Sequence, residues 1–538
     1  MTITSRVTDP LHQPGGPKTY WTTINAEENL PGVVTPLSGS FWIKPVTVGT
    51  LGAFVELGVL PESAARMSED VDERICSVIF GRFCANIDLI RACADKTPGT
   101  SGDAVELQLF ANVRPGIPKQ GAPWRYPIVG FKAPRAAAGV AGWMQREFDR
   151  SQDWWRRSIA QVGSDDVVKA RLRLQGAQDN MTRVMRPHTL GTFITQGVLD
   201  QVRVLVESAG RPDLLLELSR GGGSLEETEM LEMLWEVSRG RVSVETFLGQ
   251  YGFHGPGEAA ASATVWRENP AALDSVLETY RSMSEDRAPH LLAPQVAAQR
   301  AQASAELMAT LPRRKRPVAK FLLSLSDKMW PLRETGKATL LHSIDVGRAS
   351  ARRIGEFLVK EGRIGEVDDV AYLTVDELVA DDGRADWHET VAVRRAKREE
   401  YLLIDLPQTW EGVPATTRVD ARAAATGAAE LVAISGSPGV AEGVVRIVRD
   451  PMVDEFDDGE VLVCETTDPS WASLFLAANA LVIDVGSPMS HGAIVARELG
   501  LPCVINTRTG TRELRTGDRV RVDGTRGRVQ ILSRAETT

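Results

Sequence analysis

Apolar residues recur at helical spacing over most of the chain before about residue 425. The clearest examples are segments 64–94, 191–209, 225–237 and 298–311. An apolar residue at every third or fourth position gives a helix one buried face. Because strand patterns are scarce in this part of the chain, the sequence predicts a large, mostly α-helical domain at residues 20–410.

The pattern changes after residue 431, where short β-branched apolar runs alternate with helical segments and glycine turns. Such alternation predicts a small β/β/α domain at residues 431–534. The stretch 411–430 before it is rich in Ala, Thr and Gly, which indicates a linker that lets the last domain swivel. The polar, Pro- and Gly-containing residues 1–19 are predicted to be a flexible lead-in.

Composition narrows the class of protein. A chain of 538 residues is too long for a single core, and 43% hydrophobic with 25% charged residues is ordinary for a soluble globular protein. The net charge of −9 argues against a general nucleic-acid binder, which needs a basic surface. We find neither an apolar run long enough to cross a bilayer nor a signal peptide.

The five cysteines are odd in number and form no CxxC pair. This usage predicts reduced thiols in the cytoplasm and gives no zinc signature. Cys76 and Cys84 lie in an apolar pattern that we interpret as helical core. No metal site is predicted.

The stretch around His491 carries the strongest chemical signal. The apolar run 480–485 predicts a buried strand, Gly486 opens a tight turn, and helical spacing follows from His491 to Gly500. His491 therefore lies on the first turn of a helix, where free N–H groups and the helix dipole favour an anion. A histidine there can accept a phosphoryl group, although a lone histidine can also simply cap or pack.

Residues 489–504 read Met-Ser-His-x-Ala-x-x-x-Arg-x-x-Gly-x-Pro-x-Val. This segment resembles the mobile phosphohistidine domain of phosphoenolpyruvate synthase, pyruvate phosphate dikinase and rifampin (rifampicin) phosphotransferase. The resemblance implies that His491 carries a phosphoryl group in a covalent phosphohistidine. It also implies that Ser490, Arg497 and Thr467 stabilise the phosphoryl charge.

A second motif, at residues 251–258, reads Tyr-Gly-Phe-His-Gly-Pro-Gly-Glu. Its glycines can bring backbone close to a ligand, and it presents His254 together with Glu258. We interpret His254 as a general base for an acceptor hydroxyl and Glu258 as the carboxylate that orients it. The alternative is a turn in which the two side chains satisfy each other. The segment resembles Tyr-Gly-His-Arg-Gly-x-x-Glu of the same family, whose arginine has no obvious match here.

Three further segments carry weaker signals. Residues 25–40 and 337–378 resemble segments of the central part of the same enzymes. With them we predict Trp21, Tyr251, Glu258 and Arg348 as substrate-binding residues. For Arg348 the alternative is surface charge pairing along a helix. The basic cluster 313–316 is typical of a solvated face, with docking onto a partner as the other interpretation.

The order of the segments along the chain indicates which part of the reaction this chain performs. Only 24 residues precede Asn25, far fewer than the ATP-grasp portion of dikinase-type enzymes, and no Gly-rich nucleotide loop is visible. We therefore expect a separate ATP-grasp subunit to bind ATP and Mg²⁺ and to cleave the nucleotide. A helical acceptor domain followed by a mobile domain is similar to the larger subunit of phenylphosphate synthase and of the alkylphenol phosphate synthases.

That resemblance implies the reaction ATP + phenol + H₂O → AMP + phosphate + aryl phosphate, with a small aromatic hydroxyl compound as acceptor. Two alternatives stay open. The chain can perform the same chemistry on an antibiotic or other bulky hydroxyl compound. It can also be a non-catalytic phosphocarrier whose helical part is a binding module.

Overall fold

The computed structural model describes residues 9–24, 26–27, 30–97, 100–110, 113–218, 225–418, 430–451, 454–467, 471–486 and 490–535. Contacts between residues divide the chain into two compact units. The first unit comprises residues 1–191, 259–263 and 336–422, and the second unit comprises residues 192–258, 264–335 and 423–538.

The α-helices, in chain order, are α1 (Pro36–Glu56), α2 (Ile87–Asp95), α3 (Gly102–Phe110), α4 (Tyr126–Val162), α5 (Val167–Ser208), α6 (Leu214–Leu218), α7 (Leu225–Ser238), α8 (Val244–Tyr251), α9 (Asp274–Ser282), α10 (Pro289–Thr310), α11 (Arg316–Lys360), α12 (Val375–Ala380), α13 (His388–Leu402), α14 (Ala472–Phe475), α15 (His491–Glu498) and α16 (Gly510–Glu513). Short 3₁₀ turns lie at Glu62–Ala64, Val71–Glu73, Pro123–Arg125, Pro270–Leu273, Glu285–Arg287 and Val367–Tyr372.

The strands are β1 (Tyr20–Thr22), β2 (Cys76–Ile79), β3 (Arg82–Asn86), β4 (Ile404–Asp405), β5 (Thr409–Glu411), β6 (Thr417–Arg418), β7 (Glu430–Val432), β8 (Ile434–Ser437), β9 (Val440–Ile447), β10 (Val461–Cys464), β11 (Ala480–Ile483), β12 (Cys503–Ile505), β13 (Arg519–Asp523) and β14 (Arg528–Ser533). The large helical region followed by a small sheet domain confirms the fold class predicted from the sequence.

The first unit combines long helices with a small antiparallel sheet of order β2-β3-β1-β5. The helix predicted across residues 64–94 is wrong in its first part, because β2 and β3 form a hairpin there. Phe80 and Gly81 connect the two strands with φ angles of 46° and 72°. Two consecutive positive φ angles favour a tight hairpin turn, which the apolar spacing alone did not reveal.

Residues 9–19, the described part of the predicted lead-in, are held against this sheet. Leu11 is fully buried. The Gln13 N–H donates to the Val78 carbonyl at 2.7 Å. Most of the predicted linker, residues 419–429, lies outside the described residues. The predicted domain boundaries stay a prediction.

Local capping fixes the ends of several elements in this unit. Thr35 caps α1 by accepting a hydrogen bond from the Ser38 N–H, and Pro36 occupies the first helical position. Thr374 and Glu377 form a capping box at α12. The 3₁₀ turn Val367–Tyr372 lies just before α12. The Asp369 carboxylate stabilises that turn because it accepts hydrogen bonds from nearby backbone N–H groups.

The second unit is built around an eight-stranded sheet of order β7-β14-β13-β9-β10-β11-β12-β8. Strands β9 to β12 pair in parallel, and the remaining pairs are antiparallel. Parallel neighbours need crossovers, and α14 and α15 lie in two of the three crossovers, those between β10 and β11 and between β11 and β12. One apolar cluster joins this sheet domain to helices α7, α8 and α9. The sheet domain and these helices therefore share a core.

Within the described ranges, no helix combines the length and apolarity needed to cross a bilayer.

The five cysteines are all buried. Burial raises the pKa of Cys76, Cys93 and Cys503 to about 12. Because the thiolate is the reactive form, we expect iodoacetamide at pH 8 to leave the folded protein unlabelled within minutes and to label five thiols after denaturation. Mass spectrometry of intact protein counts the adducts. Rapid labelling of the folded protein would contradict the burial.

The same pKa shifts make the free energy of unfolding depend on pH. An ordinary thiol ionises near pH 8.5 in the unfolded chain, whereas these buried thiols stay protonated in the folded one. The unfolded state therefore binds fewer protons above about pH 8.5, and the free energy of unfolding should fall as pH rises from there. Denaturant titrations at pH 7 and pH 10 measure this loss, with Cys503→Ala as the comparison.

Candidate functional site

The first turn of α15 lies directly after the carboxyl edge of the parallel strands. Strand β11 ends at Ile483, and α15 begins at His491 after an N-cap at Ser490. The backbone of His491 is described, whereas its side chain and residues 487–489 lie outside the described part of the structure. The first N–H groups of a helix lack intrahelical partners and favour a negative charge. The backbone therefore has His491 on the first turn of a helix, as the sequence predicted.

The hydroxyl group of Ser490 is buried next to His491. Ser490 occupies the N-cap position with extended dihedral angles, but its side chain makes no capping hydrogen bond. Among the described residues, its Oγ has no hydrogen-bond partner. A buried hydroxyl group without a partner is costly, and an oxyanion carried by His491 would satisfy it.

Thr467 packs against the same helical turn. A Cβ placed on Gly492 would lie only 2.5 Å from Thr467 Oγ1 and 2.7 Å from Ile483 Cδ1. The absence of a side chain at Gly492 therefore allows the Thr467 hydroxyl group to approach the backbone beside His491. The structure thus brings Thr467, Ser490 and the His491 backbone together, and their roles toward a phosphoryl group stay a prediction.

Arg497 lies near the other end of α15 and is almost fully buried at 2% exposure. Its Nε donates to the Ala493 carbonyl at 2.9 Å. Because that carbonyl is four residues earlier, the side chain runs back toward the N-terminus of the helix, as helical side chains do. Its positive charge thus lies on the His491 side of its own Cα.

Asp484 is a residue of this region that sequence reasoning missed. Its buried carboxylate accepts hydrogen bonds from Gly510 N at 2.5 Å, Thr511 N at 3.0 Å and the hydroxyls of Thr507 and Thr511. These bonds fix the 507–511 turn beside the end of β11. A carboxylate immediately after a buried strand is the sequence signal that could have identified it.

His254 and Glu258 form the contact that the sequence suggested. His254 Nδ1 lies 2.8 Å from Glu258 Oε2, and both residues are buried. Within the described chain, His254 Nε2 is buried and has no hydrogen-bond partner. The pair is compatible with a base and its orienting carboxylate and also with mutual satisfaction in a turn.

Backbone pairing holds the His254 loop closed at its base. Trp266 N donates to the His254 carbonyl, and Arg267 N donates to the Gly252 carbonyl, each at 2.8 Å. Gly255 has a φ of 152°, and a Cβ there would lie 2.9 Å from Val265 Cα. Glycine is required at this position because the two limbs of the loop approach so closely.

Trp21 and Tyr251 do not support the predicted substrate contacts. Trp21 is fully buried in a cluster with Ile79, Cys84 and Trp410. Tyr251 is 2% exposed, and burial raises the pKa of its hydroxyl group well above the usual range. Both side chains pack in apolar clusters and present no surface to a ligand. Large aromatic residues beside a motif are ambiguous in a sequence because cores and pockets both use them.

Arg348 belongs to the first unit and is buried. Its burial shows that the alternative interpretation, a charge pair on a helix surface, is wrong. Its Nη1 donates to Asp345 Oδ1 at 2.9 Å, and its Nη2 donates to the Ala260 carbonyl at 3.0 Å. Arg348 lines a small cavity. The other lining residues are Leu37, Ala261, Ser262, Ala351, Arg352, Asp368, Val370 and Ala371.

The described residues contain no group of three His, Cys, Asp or Glu side chains arranged to hold a metal ion.

The Gly492 contact yields a testable prediction. Gly492→Ala forces a Cβ against Thr467 and Ile483, and overpacking of this kind costs about 1–3 kcal/mol. We expect the thermal transition of the second unit to fall by roughly 2–10 °C in calorimetry. Gly139→Ala in α4 is the matched control, because a Cβ there meets nothing within 4 Å. Equal transitions for both variants would contradict the close approach.

Two segments of the chain match models of known protein families. Residues 456–527 match the model of the PEP-utilising enzyme mobile domain, and residues 240–334 match the model of the rifampicin phosphotransferase fourth domain. A crystal structure of Thermococcus kodakaraensis aconitase X (holo-form) matches 19% of this chain and 98% of its own, at 22% identity and a TM-score of 0.17. A TM-score of this size does not establish a shared fold.

Two relatives match longer parts of this chain than the family models do. A rifampicin phosphotransferase of Streptomyces sviceus is 31% identical over 426 residues, which cover 75% of this chain and 44% of the relative. An uncharacterised protein of Mycobacterium tuberculosis (strain H37Rv) is 32% identical over 338 residues, 63% of this chain and 36% of the relative. The chain thus spans less than half the length of these relatives. The match of residues 456–527 to the PEP-utilising enzyme mobile domain, behind the match to the rifampicin phosphotransferase fourth domain, confirms the resemblance drawn from residues 489–504.

Proposed function

We propose that this chain is a phosphotransferase of the PEP-utilising family in which His491 carries the phosphoryl group. The observation that carries the proposal is the position of His491. It is the first residue of α15, inside a segment matching the mobile domain, and it follows Ser490, whose hydroxyl group has no hydrogen-bond partner among the described residues. A helix N-terminus with an added hydroxyl donor suits the three oxygens of a phosphoryl group.

The reaction that we propose has two steps. A separate ATP-grasp subunit binds ATP and Mg²⁺, water receives the γ-phosphoryl group, and an imidazole nitrogen of His491 receives the β-phosphoryl group as AMP leaves. The phosphorus–nitrogen bond then breaks as an acceptor oxygen attacks, which gives a phosphate ester and free His491. A covalent intermediate divides one difficult transfer into two easier ones and lets the two substrates bind at different times.

His254 is our candidate for the base that takes the acceptor proton. Glu258 at 2.8 Å can accept the Nδ1–H, which leaves the lone pair of Nε2 for a hydroxyl proton. The absence of a hydrogen-bond partner for Nε2 among the described residues supports this role.

The acceptor that we favour is a phenol or alkylphenol. This choice rests on the layout of a helical part followed by a mobile domain. The cavity beside Arg348 has room for about one water molecule and does not support any particular acceptor. The second candidate is a bulky antibiotic hydroxyl, which is favoured by the 31% identity to a relative named rifampicin phosphotransferase.

Transfer of radiolabel tests the proposed reaction. We expect a suitable ATP-grasp subunit with [β-³²P]ATP and Mg²⁺ to label the wild-type chain, and 4-methylphenol to remove the label as an aryl phosphate. His491→Ala should take up no label. Removal by rifampicin and not by the phenol would select the second candidate. Label that neither compound removes would leave only a phosphocarrier.

Variants of the His254 pair test the second step alone. We expect His254→Gln to load normally but to transfer about 10²- to 10⁴-fold more slowly, because a general base contributes that much. Glu258→Gln should slow transfer at least tenfold. Rapid-quench measurement of label loss from pre-loaded protein gives the rates.

The matched control is His290→Gln, since His290 forms a similar pair with Glu232 at 3.0 Å but is exposed to solvent. Transfer by His254→Gln at the rate of this control would overturn the assignment of His254 as the base.

A further inference from the structure

The indole ring of Trp266 packs beside the imidazole ring of His254, with the two ring centres 6.0 Å apart. The exposed fraction is 1% for Trp266 and 3% for His254. Neither the Nε1–H of Trp266 nor the Nε2 of His254 has a hydrogen-bond partner among the residues that the structure describes. Because buried indole N–H groups usually donate to an acceptor, these two neighbouring nitrogens indicate a common partner.

The loop holds both rings in place. Trp266 N donates to the His254 carbonyl at 2.8 Å, so the two residues lie opposite each other on the two limbs of the loop. Phe247 packs against the indole ring, with the ring centres 5.8 Å apart. Phe253 packs against the imidazole ring at 4.2 Å. Rings fixed in this way keep their nitrogens in one geometry, which is what a site for a reacting group needs.

Together the two nitrogens are complementary to a hydroxyl group. Because Glu258 accepts the Nδ1–H of His254, Nε2 carries a lone pair, whereas the Nε1–H of Trp266 can only donate. A hydroxyl group both donates and accepts hydrogen bonds. Since each N···O hydrogen bond spans about 2.9 Å, a single oxygen atom can bridge rings at this separation. Both rings are buried, so that oxygen reaches them through local opening of the loop.

We propose that Trp266 is a catalytic residue whose indole N–H binds the oxygen of the acceptor hydroxyl group, an inference that rests on the proposed function. The N–H occupies one lone pair of that oxygen and turns the hydroxyl proton toward His254. The proton passes to Nε2, and the other lone pair forms the new bond to phosphorus. The electron pair of the phosphorus–nitrogen bond returns to the imidazole of His491, and Nε2 then releases its proton to water.

The test removes the N–H of Trp266 and measures transfer from His491. One variant is Trp266→Phe, and a second carries 3-benzothienylalanine at position 266, where a sulfur atom replaces the N–H at nearly the same volume. The full chain is loaded with [³²P]phosphoramidate, which phosphorylates imidazole directly, and the label taken up by His491→Ala is subtracted. Rapid quenching then follows the loss of label to 4-methylphenol or to rifampicin.

We expect both variants to load normally and to transfer about 10²-fold more slowly at saturating acceptor, because a small misplacement of the reacting oxygen costs that much. The half-saturating acceptor concentration should rise by no more than about tenfold, since a single neutral hydrogen bond changes affinity by at most about that factor. A residue that only supports the fold would not produce this division between rate and affinity.

Trp235 provides the matched control. It is fully buried in the same apolar cluster as Trp266, and its Nε1–H also lacks a hydrogen-bond partner within the described ranges. Its ring contacts Tyr280, with ring centres 6.0 Å apart, and the Arg239 guanidinium at 4.0 Å. The same two replacements at Trp235 therefore match those at Trp266 in burial and chemistry. They should transfer within twofold of wild type, and thermal transitions compare the stability of the two pairs.

The outcomes separate this inference from the proposed function. Transfer by the Trp266 variants at the rate of the Trp235 variants would overturn the inference and leave the roles of His491 and His254 intact. A loss of stability with unchanged transfer would assign the N–H to a structural water molecule and also overturn it.

If wild type transfers label to neither compound, the proposed function fails, and NMR of the wild-type chain labelled with [¹⁵N-indole]tryptophan decides the inference. The Trp266 indole N–H resonance is assigned by its absence in the two variants. We expect it to shift on addition of 4-methylphenol or rifampicin, with the Trp235 resonance unchanged. A Trp266 resonance that neither compound shifts would overturn the inference.

Discussion

The position of the first turn of α15 depends on one close approach, that of Thr467 to the backbone of Gly492. The Thr467 hydroxyl group occupies the space that a side chain at Gly492 would fill. This contact fixes the first turn of α15 beside the end of β11, so that His491 begins a helix at the carboxyl edge of parallel strands. A residue in that position meets unpaired backbone N–H groups and the positive end of the helix dipole. That environment suits the proposed phosphohistidine chemistry.

A second constraint shapes the loop that carries His254. The two limbs of the loop are paired through their backbones, and Gly255 permits their contact. The loop is thus closed at its base, which keeps His254 and Glu258 within hydrogen-bond distance in a buried setting. Both the turn proposed to carry the phosphoryl group and the proposed base therefore depend on a glycine that lets another part of the chain come close. The geometry of the two candidate sites follows from backbone packing more than from flexible side chains.

The sequence predicted those parts of the molecule that local patterns determine. Strand β11, the start of α15 and the contact of His254 with Glu258 all followed from short-range spacing. The β2–β3 hairpin was missed because its apolar residues also fit a helical spacing, and only the positive φ angles at the turn separate the two. The burial of Trp21 and Tyr251 and the core shared by the sheet domain with α7–α9 depend on contacts distant in sequence, which a local pattern does not contain.

The most direct test of the account is to find the phosphorylated residue. After incubation with an ATP-grasp subunit and ATP, tandem mass spectrometry at neutral or alkaline pH should place one phosphate on His491 in the peptide covering residues 484–497. Brief acid treatment should remove it, because a phosphorus–nitrogen bond is acid-labile. An acid-stable phosphate on Ser490 or Thr467, or a modified chain with unmodified His491, would contradict the proposal that His491 carries the phosphoryl group.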